Sequence, residues 1–343
     1  MRILRFIWRA IMDFVQEMKS KAKNLQKKLV LPEGTEPRTV KAARCIVDEK
    51  LAASVYLIGK ESEVQKIAIK EGINLEGVSV VDPASSPLLA KYANTYYELR
   101  KHKGVTPEQA KTDMTAPLRW GAMMVHLGEA DAMVAGAENT TADVLRAGLA
   151  IIGTIPGSKT ASSCFVMQMP DAAWGVDGAL IFSDGAVVPD PTAEQLAEIT
   201  ISAAQSCREF LNAEPAVAML SFSTKGSGGD HPNVKKVQEA LALVKVKEPR
   251  LLVDGELQAD AALIPSVTEK KAPGSPVQGK VNTLVFPDLG SGNIGYKLVQ
   301  RLGKAQAFGP FLQGFAKPIS DLSRGASVDD IIVTCAVTLA RAK

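Results

Sequence analysis

Short apolar runs of strand length recur between stretches of helical periodicity, and this alternation narrows the folds open to the chain. Ser54-Val55-Tyr56-Leu57-Ile58 and Asp131-Ala132-Met133-Val134-Ala135 are two such runs. The pattern reads as helix 12–27, strand 28–32, helix 38–50, strand 54–59, helix 61–72 and strand 77–82. Helices near 86–101 and 106–128, strand 131–135 and a helix near 140–153 follow. Strands that alternate with helices in this way predict an α/β fold with a parallel or mixed sheet covered by helices. Beyond Gly153, 162–169 and 178–183 read as neighbouring antiparallel strands, which makes that sheet mixed. Helix 192–212, strand 215–221, helix 232–244, strand 250–254, helix 256–263 and strand 281–286 complete the series. Residues 265–280, rich in Pro, Gly, Ser and Lys, read as a long ordered loop or flap. A last helix over 328–341 is apolar on nearly all faces and is expected to be buried.

Length and charge restrict function further. A chain of 343 residues exceeds one small core and points to two domains. Aromatic residues make up only 5%, too few for stacked-base platforms. A net charge of +3 suits local basic pockets for small anions, not a surface that wraps nucleic acid. The four cysteines (Cys45, Cys164, Cys207, Cys335) form no C-x-x-C pair, so free thiols in a reducing cytosol are expected. His102, His126 and His231 lack metal-ligand spacing, which argues against a zinc site. No run of 18 apolar residues occurs. At the N-terminus Arg2, Arg5 and Arg9 share one helical face. Residues 1–11 read as an upstream extension before Met12, with a membrane-surface helix as the competing reading.

Several polar constellations could carry chemistry. Ser323-Arg324-Gly325-Ala326-Ser327-Val328-Asp329-Asp330 sets a hydroxyl, a guanidinium and carboxylates at the mouth of the last helix. That suits an anionic ligand. The same residues also fit an ordinary capping box, Ser327 at N-cap and Asp330 at N3. Gly290-Ser291-Gly292-Asn293-Ile294-Gly295 is a formal G-x-G-x-x-G that follows a strand and opens a helix. No Asp or Glu lies between Arg301 and Ile319 to hold a ribose, so a phosphate or anion loop is expected, not an NAD site. The alternative there is a glycine-rich tight turn. Ser223-Thr224-Lys225-Gly226-Ser227-Gly228-Gly229 could form an N–H nest, a flexible βα loop being the commoner explanation. Asp254, Glu256 and Asp260 could hold magnesium, or be solvated acids at a helix start. Arg38, Arg100, Arg146 and Arg324 recur near the ends of elements, where guanidinium forks grip phosphate.

Taken together, these segments resemble the phosphate acetyltransferase (phosphotransacetylase) family. The resemblance rests on Leu31-Pro32-Glu33-Gly34, Arg38-Thr39, Tyr97-Glu98-Leu99-Arg100-Lys101-His102-Lys103-Gly104 and Thr141-Ala142-Asp143-Val144-Leu145-Arg146. It continues through Met219-Leu220-Ser221, Ser223-Thr224-Lys225-Gly226-Ser227, Asp254-Gly255-Glu256-Leu257-Gln258 and Lys271-Ala272-Pro273-Gly274-Ser275-Pro276-Val277. Phe286-Pro287-Asp288-Leu289, Gly292-Asn293-Ile294, Tyr296-Lys297 and Asp321-Leu322-Ser323-Arg324-Gly325 complete it, so that it spans roughly 28–335.

The resemblance implies two α/β/α domains around a cleft, similar to the isocitrate and isopropylmalate dehydrogenases. Domain I would be 1–156 with 313–343, and domain II 157–312. It implies interconversion of acetyl-CoA plus phosphate with acetyl phosphate plus CoA, in a cytoplasmic homodimer that binds neither nucleic acid nor membrane. Coenzyme A would be a substrate, with no tightly bound cofactor and no metal. Ser323, Arg324 and Asp330 would be catalytic. Arg38, Arg100, Arg146, Lys297, Arg301, Gly292 and Asn293 would contact substrate or CoA. Two positions depart from the family pattern: Gly295 replaces a frequent alanine, and Ala326 stands where some members carry cysteine. Without that thiol, direct transfer in a ternary complex is expected.

In that chemistry the CoA thiol attacks the acetyl phosphate carbonyl. A free thiol titrates near about 8.5 and an ordinary Asp near about 3.9, so complete prior proton transfer would be uphill by about 6 kcal/mol. Asp330 is therefore expected to act as the bond forms, or to be buried. Arg324 would stabilise the oxyanion, and Ser323 would donate a hydrogen bond or orient the thiol. The competing readings are a phosphate butyryltransferase, a decarboxylating dehydrogenase of related fold and a non-catalytic acyl-phosphate sensor.

Overall fold

The computed structural model describes residues 2–342, with side chains from Phe14 onward. In chain order come α1 (Arg2–Leu25), β1 (Lys28–Leu31), α2 (Pro37–Asp48), β2 (Ser54–Ile58), α3 (Glu61–Glu71), β3 (Val78–Val81) and α4 (Leu89–Arg100). Next are α5 (Pro107–Asp113), α6 (Pro117–Leu127), β4 (Ala132–Ala135) and α7 (Thr141–Ala147), continued by a π-helical turn over Gly148–Ile152. Then follow β5 (Ser162–Gln168), β6 (Ala179–Ser183), α8 (Ala193–Leu211), β7 (Ala216–Leu220), α9 (Pro232–Lys247) and β8 (Leu252–Leu257). Last are α10 (Ala259–Leu263), α11 (Pro265–Lys271), β9 (Thr283–Val285), α12 (Leu289–Arg301), β10 (Gln306–Gln313), β11 (Ile319–Asp321) and α13 (Val328–Ala340).

The chain divides into two compact units. A flanking unit joins Val15–Pro156 to the chain from Phe315 onward, and an inserted unit joins Gly157–Gly314 to the chain up to Phe14. In the flanking unit five parallel strands lie in the order β3-β2-β1-β4-β11. Side chains alternate across a strand. Leu29, Leu31, Leu57 and Val134 accordingly share one core with Ile46 of α2 and Ile331, Cys335 and Leu339 of α13. A Cβ built on Gly121 of α6 would meet Pro32 and the sulfur of Met133, so α6 covers the opposite face. Both faces are thus buried, as a parallel sheet requires.

In the inserted unit the strand order is β10-β5-β6-β9-β7-β8. β5 pairs antiparallel with β6 and with β10, and the remaining pairs are parallel. Phe165, Phe182, Leu220 and Leu284 form one core with Ala261 and Ala262 of α10. Phe210 of α8 meets the Phe311 ring of β10 at 5.2 Å.

Six expectations change. The helix read over 106–128 is two helices, because Pro117 starts a new one after Ala116. The helix near 140–153 keeps α geometry only to Ala147. Strand β8 runs on to Leu257, so Asp254 and Glu256 are not at a helix start. Residues 265–271 of the expected flap form α11, with Pro265 in its first turn. Strands β10 and β11 were not anticipated. Gly309 and Pro310 interrupt β10, whose pairing with β5 shifts register there, and β11 is only three residues long. Backbone 2–11, read as an extension before a helix at 12, continues α1 without a break. The arginine face proposed for 1–11 lies outside the described residues.

Candidate active site

Three segments of the flanking unit are stitched together at the strand ends. The carboxylate of Glu33, after β1, is buried. It accepts hydrogen bonds from the backbone N–H groups of Gly136, Ala137, Glu138 and Asn139 at 2.8–3.1 Å and from Asn139 Nδ2 at 2.9 Å. Burial of a carboxylate requires such compensation, so the turn from β4 to α7 is built around this charge. Arg38, in the first turn of α2, ties that turn to the loop after β11. Its Nη2 donates to Ala137 O at 3.0 Å, and Nη1 donates to Arg324 O and Ala326 O at 2.8 and 2.7 Å. Its Nε donates to Glu36 at 2.8 Å. Expected as a substrate contact, Arg38 directs its nitrogens to protein acceptors.

The loop thus held presents Ser323 and Arg324, both exposed. Buried Ala326 anchors it to the core. Ser323 Oγ accepts from Gly325 N at 3.3 Å, and Arg324 Nη1 donates to Asn139 O at 2.9 Å. Ser327 and Asp330 form the reciprocal capping box of α13. Asp330 Oδ2 accepts from Ser327 N at 2.9 Å and from Ser327 Oγ at 2.8 Å. The Asp330 side chain is exposed, not buried.

Asp321, at the end of β11, is 3% exposed. Its Oδ2 accepts from the Thr141 hydroxyl at the start of α7. Its Oδ1 is buried with no hydrogen-bond partner among the described residues. The neighbouring Leu322 N–H donates to Ala135 O instead. Burial pushes the Asp321 carboxyl up to about 6, against the pull of the Thr141 hydroxyl and the Arg324 charge. Gly136 makes this approach possible: a Cβ there would sit 2.3 Å from Asp321 Oδ1, and its φ of 112° disfavours other residues.

Arg100 and Arg146 line one open cavity of about 420 Å³ with Ala142, Leu145, Leu149 and Ala150. Arg146 donates to Asp143 at 2.6 Å, whereas Arg100 Nε is buried without a partner among the described residues. The cavity runs along α7, the helix whose first residue is bonded to Asp321. Six of the ten expected site residues (Arg38, Arg100, Arg146, Ser323, Arg324, Asp330) therefore lie in the flanking unit.

The other four lie on α12 of the inserted unit. There the residues of the G-x-G-x-x-G lie within the helix itself. Asp288 caps the helix and accepts from Ser291 N at 2.8 Å, so the protein's own carboxylate occupies that end. Gly292 is buried, and a Cβ on it would meet Asp184 O at 2.0 Å, so this glycine serves close packing. Asn293 Nδ2 donates to Gly185 O at 3.0 Å and Lys297 donates to Asn293 Oδ1 at 2.7 Å, while Arg301 is exposed.

The Ser223–Gly229 turn is likewise wrapped on an internal anion. Glu256 Oε1 accepts from Gly226 N at 2.7 Å and Ser223 Oγ at 2.9 Å, and Oε2 accepts from Gln238 at 3.0 Å. Those bonds hold its carboxyl below the usual range against the opposing effect of burial, the largest single influence on it. Asp254 pairs with Lys225 and Ser275, and Asp260 with Lys271. Among the described residues no three His, Cys, Asp or Glu side chains converge as metal ligands. No helix there is long and apolar enough to cross a membrane.

Sequence reasoning gave no role to Glu33, Thr141 or Asp321, although all three lie in the segments quoted above. Their only signal was an acid or hydroxyl directly at a strand end or helix start.

Residues 13–339 match the family model described as phosphate acetyl/butaryl transferase. The phosphate acetyltransferase of Treponema pallidum is 59% identical over 96% of this chain and 98% of its own length. A phosphotransacetylase structure from Streptococcus pyogenes superposes with a TM-score of 0.91 at 41% identity, covering 97% of this chain and 98% of that one. A 4-hydroxythreonine-4-phosphate dehydrogenase from Klebsiella pneumoniae shares the fold alone, with a TM-score of 0.53 at 13% identity over 92% of this chain and all of that one.

Proposed function

The chain belongs to the phosphate acetyl/butaryl transferase family and is an acyltransferase, and we propose that it exchanges acetyl between CoA and inorganic phosphate by direct thiol attack in a ternary complex. The observation that carries this reading is the exposed Ser323–Arg324 pair, stitched by Arg38 and Glu33 to the start of α7. Arg100 and Arg146 line the cavity along that same helix. Three guanidinium groups serve a doubly charged phosphoryl group better than one, and Arg100 Nε is a buried donor with no protein acceptor. The apolar lining of Leu145 and Leu149 suits a short acyl chain.

The CoA sulfur forms a bond to the acyl carbon, and the bond from that carbon to the phosphate oxygen breaks. The thiol proton passes to Asp330 as the carbon–sulfur bond forms, which suits its exposed position, and then leaves with phosphate. Arg324 stabilises the charge on the carbonyl oxygen, and Ser323 orients the thiol. Lys297, Arg301 and Asn293 on α12 contact CoA. The protein acts in the cytoplasm as a homodimer, with no tightly bound cofactor and no catalytic metal. The test is thioester formation from acetyl phosphate and CoA after treatment with EDTA. No thioester from folded protein would refute the reading, and activity restored only by a divalent ion would refute its metal-free part. Butyryl phosphate in the same assay separates the acetyl from the butyryl branch of the family.

A further inference from the structure

Asp321 stands apart from the other buried carboxylates. Glu33, Asp184 and Glu256 each collect several donors. Asp321 has one, Thr141, and its Oδ1 has none among the described residues. The charged groups facing it are Arg324, from its own loop, and Glu33, from the turn after β1. It joins the end of β11 to the first residue of the helix that carries Arg146.

We propose that Asp321 is a positioning residue for acyl transfer: through Thr141 it locks the start of α7 to the Ser323–Arg324 loop, and its carboxylate is the buried counter-charge that sets how strongly Arg324 attracts an anion. The proposal rests on the reading that Arg324 meets the negative charge of the reacting acyl phosphate. A buried polar group with an unmet bond in an otherwise satisfied network marks an element under functional constraint. An ionised Asp321 weakens the field of Arg324, and a protonated one releases it. Its titration near 6 places that change within working pH.

Sulfate stays a dianion from pH 5 to pH 8 and is the probe. Calorimetric titration of the full-length protein should show sulfate bound about fivefold to tenfold more tightly at pH 5 than at pH 8. Asp321→Asn, which keeps the acceptor for Thr141 and removes the charge, should lower that ratio at least threefold. In the acyl-transfer assay Thr141→Val should lower kcat about tenfold with little change in KM for acetyl phosphate, and Thr141→Ser should restore it. Asp321→Asn that keeps the wild-type pH ratio, or Thr141→Val with wild-type kcat, overturns the proposal. Wild-type protein that binds sulfate with the expected pH ratio yet forms no thioester would leave the charge coupling of Asp321 to Arg324 standing and sink both the transferase reading and the positioning role in acyl transfer. If Asp321→Asn does not fold, as judged by circular dichroism, the Thr141 pair decides.

Discussion

Two polar clusters that look alike in sequence have opposite fates in the fold. The Ser223–Gly229 turn with Asp254 and Glu256 mixes glycines, hydroxyls, a lysine and acids, as does the Ser323–Asp330 segment. In the inserted unit the donors and acceptors satisfy one another. Asp254 is 2% exposed and Glu256 1%; Asp254 is paired with Lys225, and Glu256 is held by neutral donors. In the flanking unit Ser323, Arg324 and Asp330 are exposed, and the inward bonds run through backbone carbonyls and through Glu33 and Arg38. A cluster that consumes its own hydrogen-bonding capacity is architecture. One held in place by other residues, with its charged ends left free, can act on something else.

The sharpest way to break this contrast is to remove charge from the open cluster. Asp330→Asn keeps the shape of the cap and should lower kcat by about 10²–10⁴ with melting little changed. Arg324→Ala should raise the barrier by about 2.7–4 kcal/mol if it meets the oxyanion. Steady-state rates beside thermal melts separate these outcomes. Wild-type rates with both substitutions would make the open cluster as structural as the closed one.

The next effect is a pH dependence of stability. Asp321 prefers its proton in the folded state, with a carboxyl near 6 against about 3.9 when unfolded. Its stabilising contribution is therefore complete below the unfolded value and is lost as pH rises through the folded one. Folding should weaken by about 2 kcal/mol between pH 4 and pH 6 from this group. Glu129, Glu198 and Glu256, all held low, act in the opposite sense and weaken the fold as pH falls. Urea titrations of wild type and Asp321→Asn across that range isolate this contribution, because the groups common to both cancel in their difference. Within the closed cluster, Glu256→Ala should cost about 1–3 kcal/mol by stranding Ser223, Gly226 N–H and Gln238, and should leave the kcat of folded protein unchanged. A fall in kcat without a fall in melting temperature would show that the closed cluster also works.

What sequence made legible follows the same line. Runs such as Ser54–Ile58 and Ala132–Ala135 became buried parallel strands because period and apolarity are local properties. The capping box at Ser327 was legible for the same reason. Strand β10 was not, since Gly309-Pro310 masks its pattern and only pairing with β5 defines it. At the candidate site the exposed residues could be named from motifs. Glu33 could not, because its role depends on four N–H groups about a hundred residues away. The packing role of Gly292 was not legible, because a helix glycine that admits a neighbouring carbonyl has the same spelling as one that admits a phosphate. Neither long-range contact leaves a trace in local spacing.

The smallest expected effect is the most discriminating for the contrast, because it falls inside the open cluster on a residue that only supports it. Ser327→Ala removes the N-cap of α13 and should cost about 1 kcal/mol. It also removes the hydroxyl that donates to Asp330 Oδ2, although the Ser327 backbone N–H still does so. Asp330 therefore keeps one of two anchors and its exposed position, and kcat should change by less than about threefold. Combining Ser327→Ala with Asp330→Asn separates the two contributions. If Ser327 matters only through the cap, the stability losses should couple, since both partners belong to one box, while the rate loss should equal that of Asp330→Asn alone. A rate loss for Ser327→Ala as large as that for Asp330→Asn would mean that the cap itself is the working part, and the line between supporting and acting residues would have to be drawn one residue earlier.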